Sequence, residues 1–298
     1  MTLQTVPPPH LGLSIGQKLQ RIHWTAILLI SAITGVGMLT LYSIAGGSLT
    51  PWAEHHAIRF LVCLGLALLI AITPRLIWVR AAFPIYAVAI ALLIMVPITG
   101  VEAGGARRWL AFAGVRFQPA ELMKIALILA LARYYEWLPP NRVSHPLAVL
   151  VPLGLIGIPT FLTLQQPDLG TACLFAVVGL ALMFLAGVHL LYFLAGGLGL
   201  ATAVPLIWAN LHAYQKRRLE AFLNPDADPL GAGYHITQSK IALGSGGLSG
   251  KGMFNGTQSY LDFVPEKHTD FIFTTFAEEW GFVGAALLLG LFAVLIYI

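Results

Sequence analysis

The segment Val264-Pro-Glu-Lys-His-Thr-Asp-Phe-Ile-Phe273 marks the point where a long polar loop meets the last apolar run of the chain. The loop, residues 211–270, separates this run from a series of earlier apolar runs. Asp270 falls at the junction, between Lys267 and His268 on one side and apolar residues on the other. Such mixed surroundings are typical of catalytic acids and bases, so we predict an active centre at Asp270. The alternative is that this acid caps the last helix.

The composition is that of a multi-pass membrane protein. Of the 298 residues, 58% are hydrophobic and only 10% are charged, whereas soluble proteins carry about 25% charged residues. The mean hydropathy is +0.81. The formal charge of +4 is spread over loops and span ends, where basic residues act as topology signals, so we predict no nucleic-acid partner. Cys63 and Cys173 lie inside apolar runs, which excludes a disulfide framework and a thiolate metal site.

Eight apolar runs predict eight membrane spans. The first run is too long for the core of a cleaved signal peptide, so residues 1–21 are predicted to be a cytoplasmic tail before span 1. The sequence therefore predicts an all-α polytopic integral membrane protein with a single membrane domain over residues 1–298. The predicted spans cover residues 22–45, 57–72, 82–99, 120–137, 146–164, 170–186, 190–209 and 271–298.

The basic residues favour an N-terminus inside the cell. With that orientation the cytoplasmic ends hold Lys18, Arg21, Arg75, Arg80, Arg133 and Arg142, and the short outer loops hold Arg59, Arg107, Arg108 and Arg116. The 211–270 loop then lies outside, as a large extracytoplasmic loop between spans 7 and 8. An anionic ligand on that face would explain the arginines there.

Charged residues also surround the outer start of span 4. Glu121 and Lys124 share a helix face, and each partly neutralises the other, since an unpaired charge costs about 2.5–3.5 kcal/mol near the bilayer centre. Either the two form a structural ion pair, or Lys124 has an anionic ligand. Trp109, next to Arg108, is either a tryptophan of the membrane interface or a stacking platform.

A second outer segment, Gln165-Gln-Pro-Asp-Leu-Gly-Thr171, opens span 6. It places Asp168 at the same predicted depth as Arg108, Lys124 and Asp270. Capping of the helix alone would explain the proline and the acid. Acids and bases that gather at one membrane depth nevertheless predict a functional site.

The 211–270 loop begins with a basic cluster that includes Arg218 and continues into a glycine-rich segment. This segment is not a P-loop, because Ser245 stands where the first glycine is required and neither Ser nor Thr follows Lys251. The glycines instead predict a close approach of the loop backbone to a bulky polar ligand or to the membrane surface.

Taken together, the motifs resemble the shape, elongation, division and sporulation (SEDS) family of peptidoglycan glycosyltransferases. The resemblance covers residues 59–298. The motif residues 234–235 and 256–259 are similar to those of the elongation branch of the family rather than the division branch. The motifs are Gly105-Ala-Arg-Arg-Trp109, Val115-Arg-Phe-Gln-Pro-Ala-Glu-x-x-Lys124, Gln166-Pro-Asp-Leu-Gly-Thr171, Asp228-Pro-Leu-Gly-Ala-Gly-Tyr-His235, Gly256-Thr-Gln-Ser259 and Pro265-Glu-Lys-His-Thr-Asp-Phe-Ile-Phe273.

The resemblance implies a SEDS-type helical bundle that polymerises lipid II on the outer face of the bacterial cytoplasmic membrane and releases undecaprenyl pyrophosphate. It implies that Asp270 acts as general base on the acceptor sugar hydroxyl. A divalent cation, Mg²⁺ or Mn²⁺, is left open as a cofactor. The expected residues for binding the substrate and its pyrophosphate are Arg108, Trp109, Glu121, Lys124, Asp168, Arg218, Lys240 and His268.

The expected partners are the lipid II and undecaprenyl-linked glycan substrates, a class B penicillin-binding protein as transpeptidase, other elongation-complex proteins and membrane lipids. Family members have about ten spans, so we expect this chain to be short at its C-terminal end. Two alternatives remain, a transporter of lipid-linked precursors and a non-catalytic scaffold of the elongation complex. A transporter predicts polar residues through both leaflets, whereas the charges here gather at outer span ends, which favours surface chemistry.

Overall fold

The computed structural model describes residues 14–103, 106–112, 115–210, 216, 220, 233–261, 263 and 266–298. These residues are mainly helical, and a helix lies at each predicted span. The helices are α1 (Ile15–Gln20), α2 (Trp24–Ile44), α3 (Trp52–Ile72), α4 (Arg75–Thr99), α5 (Pro119–Trp137), α6 (Pro146–Gln165), α7 (Leu169–Leu185), α8 (Leu190–Asn210), α9 (Tyr234–Ser245), α10 (Thr257–Tyr260) and α11 (Ile272–Tyr297). The second and third predicted spans begin earlier than expected, at Trp52 and Arg75.

Within the described ranges, five helices are long and apolar enough to cross a membrane, namely α2, α3, α4, α6 and α11. The apolar helices α7 and Leu190–Leu206 of α8 are shorter. Helix α5 has 19 residues but carries four charged side chains, Glu121, Lys124, Arg133 and Glu136. The helical membrane fold is therefore confirmed, apart from one small sheet, whereas the number of eight spans stays a prediction. A helix suits lipid because its backbone groups bond to one another.

The chain forms two compact units. Unit 1 comprises the described parts of Met1–Thr73 and His212–Ile298, and unit 2 is Pro74–Leu211. In unit 2, the small residues Ala120, Ala126 and Ala130 of α5 are fully buried among Leu93 and Phe175. Small side chains let neighbouring helices approach closely, which explains why the charged helix α5 lies in the core of this unit.

A small antiparallel sheet lies between α4 and α5, where the sequence predicted a loop. Its strands are β1 (Val101–Ala103), β2 (Ala106–Phe112) and β3 (Val115–Phe117), in the order β1-β2-β3. Glu102 pairs with Arg107 across β1 and β2, and their side chains form an exposed ion pair of 3.0 Å. The sheet places Arg108 and Trp109 next to each other on β2, at the start of the segment that leads to α5.

In unit 1, part of the glycine-rich segment packs against the backbone of α11, and the approach of its glycines to a ligand or the membrane surface stays a prediction. Gly281 has φ 67° and ψ −167°, a conformation that is essentially restricted to glycine. A Cβ atom there would clash with the backbone nitrogen of Gly250. Lys251 and Gly252 donate their backbone N–H groups to the carbonyls of Glu278 and Glu279, at 3.1 and 2.9 Å. Gly246 and Gly250 therefore allow a close contact between this segment and the backbone of α11.

Candidate active site

Asp270 lies in a tight turn directly before α11. The turn is closed by the backbone N–H groups of Thr269 and Phe271, which donate to the carbonyl of Glu266 at 3.2 and 3.1 Å. The N-cap residue of α11 is Phe271, and no side chain caps the helix. Asp270 is exposed, and its carboxylate has no hydrogen-bond or ion-pair partner among the described residues. The capping interpretation of Asp270 is therefore wrong, and its carboxylate is accessible to a ligand.

The two basic neighbours of Asp270 support the turn. Lys267 Nζ donates to the carbonyl oxygen of Ser259 at 2.6 Å. His268 stacks on Trp52 at the start of α3, with ring centroids 4.9 Å apart and an interplanar angle of 21°. The two side chains thus connect the Asp270 turn to Ser259 on α10 and to Trp52 on α3. His268 as a whole is half-buried.

Lys240 and Arg218 were predicted to bind substrate from the same loop. Lys240 is exposed on α9. Arg218 lies outside the described residues. The roles of both residues remain predictions.

In unit 2, Arg108 on β2 holds the junction between α6 and α7. Its guanidinium donates to the carbonyls of Gln166 and Pro167 at 3.3 and 2.5 Å, and lies 3.9 Å from the Asp168 carboxylate. Gln118 Nε2 also donates to Asp168, at 3.3 Å. The structure therefore brings together three of the sequence motifs at one end of this unit.

Asp168 has a capping role, as the sequence allowed. It is the N-cap of α7, and its Oδ1 accepts the backbone N–H of Thr171 at 3.2 Å. Its other oxygen is the one that faces Arg108 and Gln118. Capping and an electrostatic role are thus performed by different oxygens of the same carboxylate.

Glu121 and Lys124 form the expected ion pair, with Nζ and Oε2 at 2.8 Å. Glu121 is 60% exposed and Lys124 is 31% exposed at the side chain. Exposed pairs of this kind contribute at most about 1 kcal/mol, so an anionic ligand can compete with Glu121 for the ammonium group. Trp109 is half-buried on β2 and pairs with Val101.

An apolar groove of about 350 Å³ lies in unit 1 next to the Asp270 turn. It is formed by α2, α3 and α11, and its lining includes Ile272 and Phe273, the residues that follow the turn almost immediately. Polar atoms enter it only at Thr34, Thr40 and His56. The groove has the chemistry of a site for a lipid chain.

Two further acids, Glu278 and Glu279, were not among the residues predicted from the sequence, and their side chains on α11 are buried. Glu278 accepts from Lys251 Nζ at 2.8 Å, and Glu279 accepts from Ser43 Oγ at 2.5 Å. The signal was present in the sequence, because adjacent acids inside an apolar run are by default functional candidates. Lys251 was considered only as part of a rejected P-loop.

The described residues contain no group of three or more His, Cys, Asp or Glu side chains that could hold a metal ion. The divalent cation that the sequence left open therefore has no dedicated cluster in this part of the chain.

Comparison with known proteins identifies the family. The FtsW/RodA/SpoVE family model, described as cell cycle protein, matches residues 20–298. The peptidoglycan glycosyltransferase MrdB of Escherichia coli K12 is 41% identical over 275 residues, which cover 91% of this chain and 73% of MrdB. The probable peptidoglycan glycosyltransferase FtsW of Coxiella burnetii is 36% identical, over an alignment that covers 94% of this chain and 78% of that protein.

Two solved structures share the fold. A chain from a peptidoglycan synthase complex, studied for the coordination of polymerization and crosslinking, has a TM-score of 0.76 and 32% identity, over 92% of this chain and 76% of that chain. The rod shape determining protein RodA of Thermus thermophilus has a TM-score of 0.62 and 28% identity, over 92% and 72% of the two chains. The family match and the identity to MrdB show that this chain belongs to the FtsW/RodA/SpoVE family of multi-pass membrane proteins.

Proposed function

We propose that this chain is a peptidoglycan glycosyltransferase that polymerises lipid II into glycan strands during cell elongation. The observation that carries the proposal is the exposed carboxylate of Asp270, which caps nothing and sits in a turn braced by its neighbours. The curated relatives are named as peptidoglycan glycosyltransferases, in part as probable ones. Identity is 41% to MrdB and 34–38% to the FtsW relatives, which favours the elongation branch.

In the proposed reaction, a sugar hydroxyl of the acceptor lipid II attacks the anomeric carbon of the lipid-linked glycan. Asp270 accepts the hydroxyl proton as the new carbon–oxygen bond forms. The bond between the anomeric carbon and the pyrophosphate oxygen breaks, and undecaprenyl pyrophosphate leaves with the bonding electrons. The exposed position of Asp270 suits a sugar held just above the lipid.

The leaving pyrophosphate gains negative charge and needs fixed positive charge nearby. In unit 2 we assign this role to Lys124, whose only ion-pair partner among the described residues is the exposed Glu121, and to Arg108. Asp168 and Glu121 orient the positively charged side chains of Arg108 and Lys124. We retain Trp109, Arg218, Lys240 and His268 as residues that contact the substrate, and a divalent cation as a counter-ion of the pyrophosphate.

The apolar groove of unit 1 would accommodate the prenyl chain of a lipid-linked substrate. The first lining residue that α11 contributes is Ile272, two residues after Asp270. A chain bound there would keep the attached sugar within reach of the Asp270 turn, so the reaction would take place at the membrane surface.

We place Asp270 on the periplasmic side of the inner membrane. Helix α3 has 21 residues and is therefore about 30 Å long, the thickness of the hydrocarbon core. Its first residue, Trp52, stacks on His268, while the carbonyl of its last residue, Ile72, accepts from Lys18 Nζ at 2.8 Å. With the basic N-terminal tail in the cytoplasm, the Asp270 turn at the other end of α3 lies outside.

The test of this function is incubation of the purified protein with fluorescent lipid II. We expect long glycan strands that a muramidase degrades, together with release of undecaprenyl pyrophosphate. Transfer of lipid II across vesicle membranes without polymer formation would instead show that the protein is a transporter of lipid-linked precursors. The absence of both activities would favour a non-catalytic scaffold.

A polymerase must pass its strands to a crosslinking enzyme, so we propose a class B penicillin-binding protein as partner, along with other elongation-complex proteins. The synthase complex among the structural relatives couples polymerization and crosslinking, which supports this proposal. A tagged form of this chain, extracted from its own membranes in a mild detergent, should bring down a transpeptidase with one membrane span. Recovery of other intact membrane complexes without such a transpeptidase would contradict the partnership.

A further inference from the structure

The carboxylate of Glu278 is the most heavily hydrogen-bonded acid among the described residues. Its side chain is completely buried. Oε1 accepts from Ser245 Oγ, Lys251 Nζ, Thr257 Oγ1 and the Gln258 backbone N–H at 3.4, 2.8, 3.3 and 3.0 Å, and Oε2 accepts from the N–H and Oγ of Ser259 at 3.2 and 3.1 Å. A buried charge is tolerated only with such partners, so the surrounding loop is organised around this carboxylate.

The contacts of Glu278 lead directly to the Asp270 turn. Ser259, which donates twice to Glu278, uses its carbonyl oxygen to accept from Lys267 Nζ at 2.6 Å. Lys267 lies within the segment closed by the hydrogen bonds from Thr269 and Phe271 to Glu266. The path from Glu278 through Ser259 and Lys267 therefore ends three residues before Asp270.

We propose that Glu278 is a positioning residue for catalysis: its buried carboxylate fixes Ser259, and Ser259 holds Lys267 and thereby the turn that presents Asp270. This inference rests on the proposed function of Asp270 as a general base. Glu278 does not touch the substrate in this account. Its effect on the reaction comes from holding the base in place, and a displacement of about 1 Å can cost about 100-fold in rate.

The neighbouring Glu279 provides a matched control. It is 4% exposed and lies in the same helix, but its carboxylate accepts from Ser43 Oγ and from the Phe254 backbone N–H at 3.2 Å. These contacts tie the loop to α2 and do not include Ser259 or Lys267. Loss of charge at Glu279 therefore disturbs a buried acid of the same type without breaking the path to Asp270.

Glutamine at position 278 keeps the size of the side chain but turns one acceptor oxygen into a donor. Each carboxylate oxygen of Glu278 accepts from at least one N–H group, and such a group cannot accept a hydrogen bond in return. The NH₂ group of glutamine must therefore face at least one N–H donor. Lys251 is 25% exposed at its side chain and can be hydrated when the carboxylate is lost, so we expect the variant to fold. The contact that suffers is the link to Ser259 or to the adjoining backbone.

The experiment measures kcat, KM and thermal unfolding for lipid II polymerisation by the wild type and by Glu278→Gln, Glu279→Gln and Lys267→Met. We expect kcat to fall about 10- to 100-fold for Glu278→Gln and for Lys267→Met, with KM changed less than about threefold. Glu279→Gln should keep kcat within about threefold of the wild type. In the double variant Glu278→Gln/Lys267→Met, the loss should be close to that of one substitution alone, because both break the same path.

A purely structural role would give another pattern. Equal losses for Glu278→Gln and Glu279→Gln, losses that multiply in the double variant, or an unchanged kcat for Glu278→Gln would each overturn the positioning role. Should Glu278→Gln fail to fold, Glu278→Asp, which keeps the charge but shortens the side chain, replaces it, and an unchanged kcat for that variant would equally overturn the positioning role. A wild type that makes no glycan would refute the proposed function itself, a result that differs from all of these.

Discussion

The substitution Asp270→Asn should slow glycan polymerisation by a factor of about 100 to 10,000 and leave the thermal unfolding of the protein unchanged. The amide has the size of the carboxylate but cannot accept the hydroxyl proton of the acceptor sugar. The structure gives a reason to expect normal stability, because the side chain of Asp270 is exposed and does not cap α11. The effect should therefore be confined to the chemical step.

Two further variants separate a base from a general electrostatic role. Asp270→Glu keeps a carboxylate at a shifted position and should retain more activity than Asp270→Asn. Lys124→Met removes a charge predicted to contact pyrophosphate, and it should lower kcat/KM by about 10- to 100-fold, the value of a hydrogen bond to a charged group. Arg133→Met on the same helix, where the arginine pairs with Glu136 at 3.1 Å, is the control with little expected effect.

Polymerisation by Asp270→Asn at a rate near that of the wild type would remove Asp270 from the mechanism.

The substitution Gly281→Ala should produce the largest loss of stability among single methyl additions in α11. An alanine there must adopt φ 67° and ψ −167°, which costs about 1–3 kcal/mol. Its Cβ would also clash with the backbone of Gly250 and approach the carbonyl of Leu248 at 2.7 Å, and such overpacking costs about 1–3 kcal/mol more. We expect a melting temperature lower by several degrees or failure to fold, measured by thermal unfolding in detergent.

Gly290→Ala is the matched control for this prediction. Gly290 lies in the same helix, and a Cβ built on it meets no atom within 4 Å. Alanine favours a helix over glycine by about 1 kcal/mol, so this variant should melt at the same temperature as the wild type or slightly above it. Equal melting temperatures for the two alanine variants would contradict the contact between the glycine-rich segment and α11.

The sequence predicted the membrane helices well because long apolar runs have few alternatives in lipid, where backbone groups must bond within a helix or a closed barrel. It did not predict the β1–β3 sheet, since two of its strands have only three residues each and their pairing depends on contacts across turns. The starts of α3 and α4 were placed too late because Glu54, His55, Arg75 and Arg80 made these first turns look like loop.

The candidate site was predicted in part. The positions of the motifs at the outer ends of the predicted spans predicted that Arg108 and Asp168 lie on the same side of the membrane, and the structure brings the two side chains to 3.9 Å. The sequence could not show that Arg108 also binds the carbonyls of Gln166 and Pro167, because these contacts join residues nearly sixty positions apart. The adjacent acids Glu278 and Glu279 inside an apolar run were a signal in the sequence, but the sequence could not show that Lys251, 27 residues earlier, pairs with Glu278.

The central claim, that Asp270 acts as the base, is tested most directly by measuring substrate binding and formation of the first glycosidic bond in the same sample. Purified wild type and Asp270→Asn would be mixed in excess over fluorescent lipid II under single-turnover conditions. The account predicts that both proteins bind lipid II with the same affinity and that Asp270→Asn forms the first bond at least about 100-fold more slowly. Bond formation at the wild-type rate, or a loss of rate explained entirely by weaker binding, would contradict it.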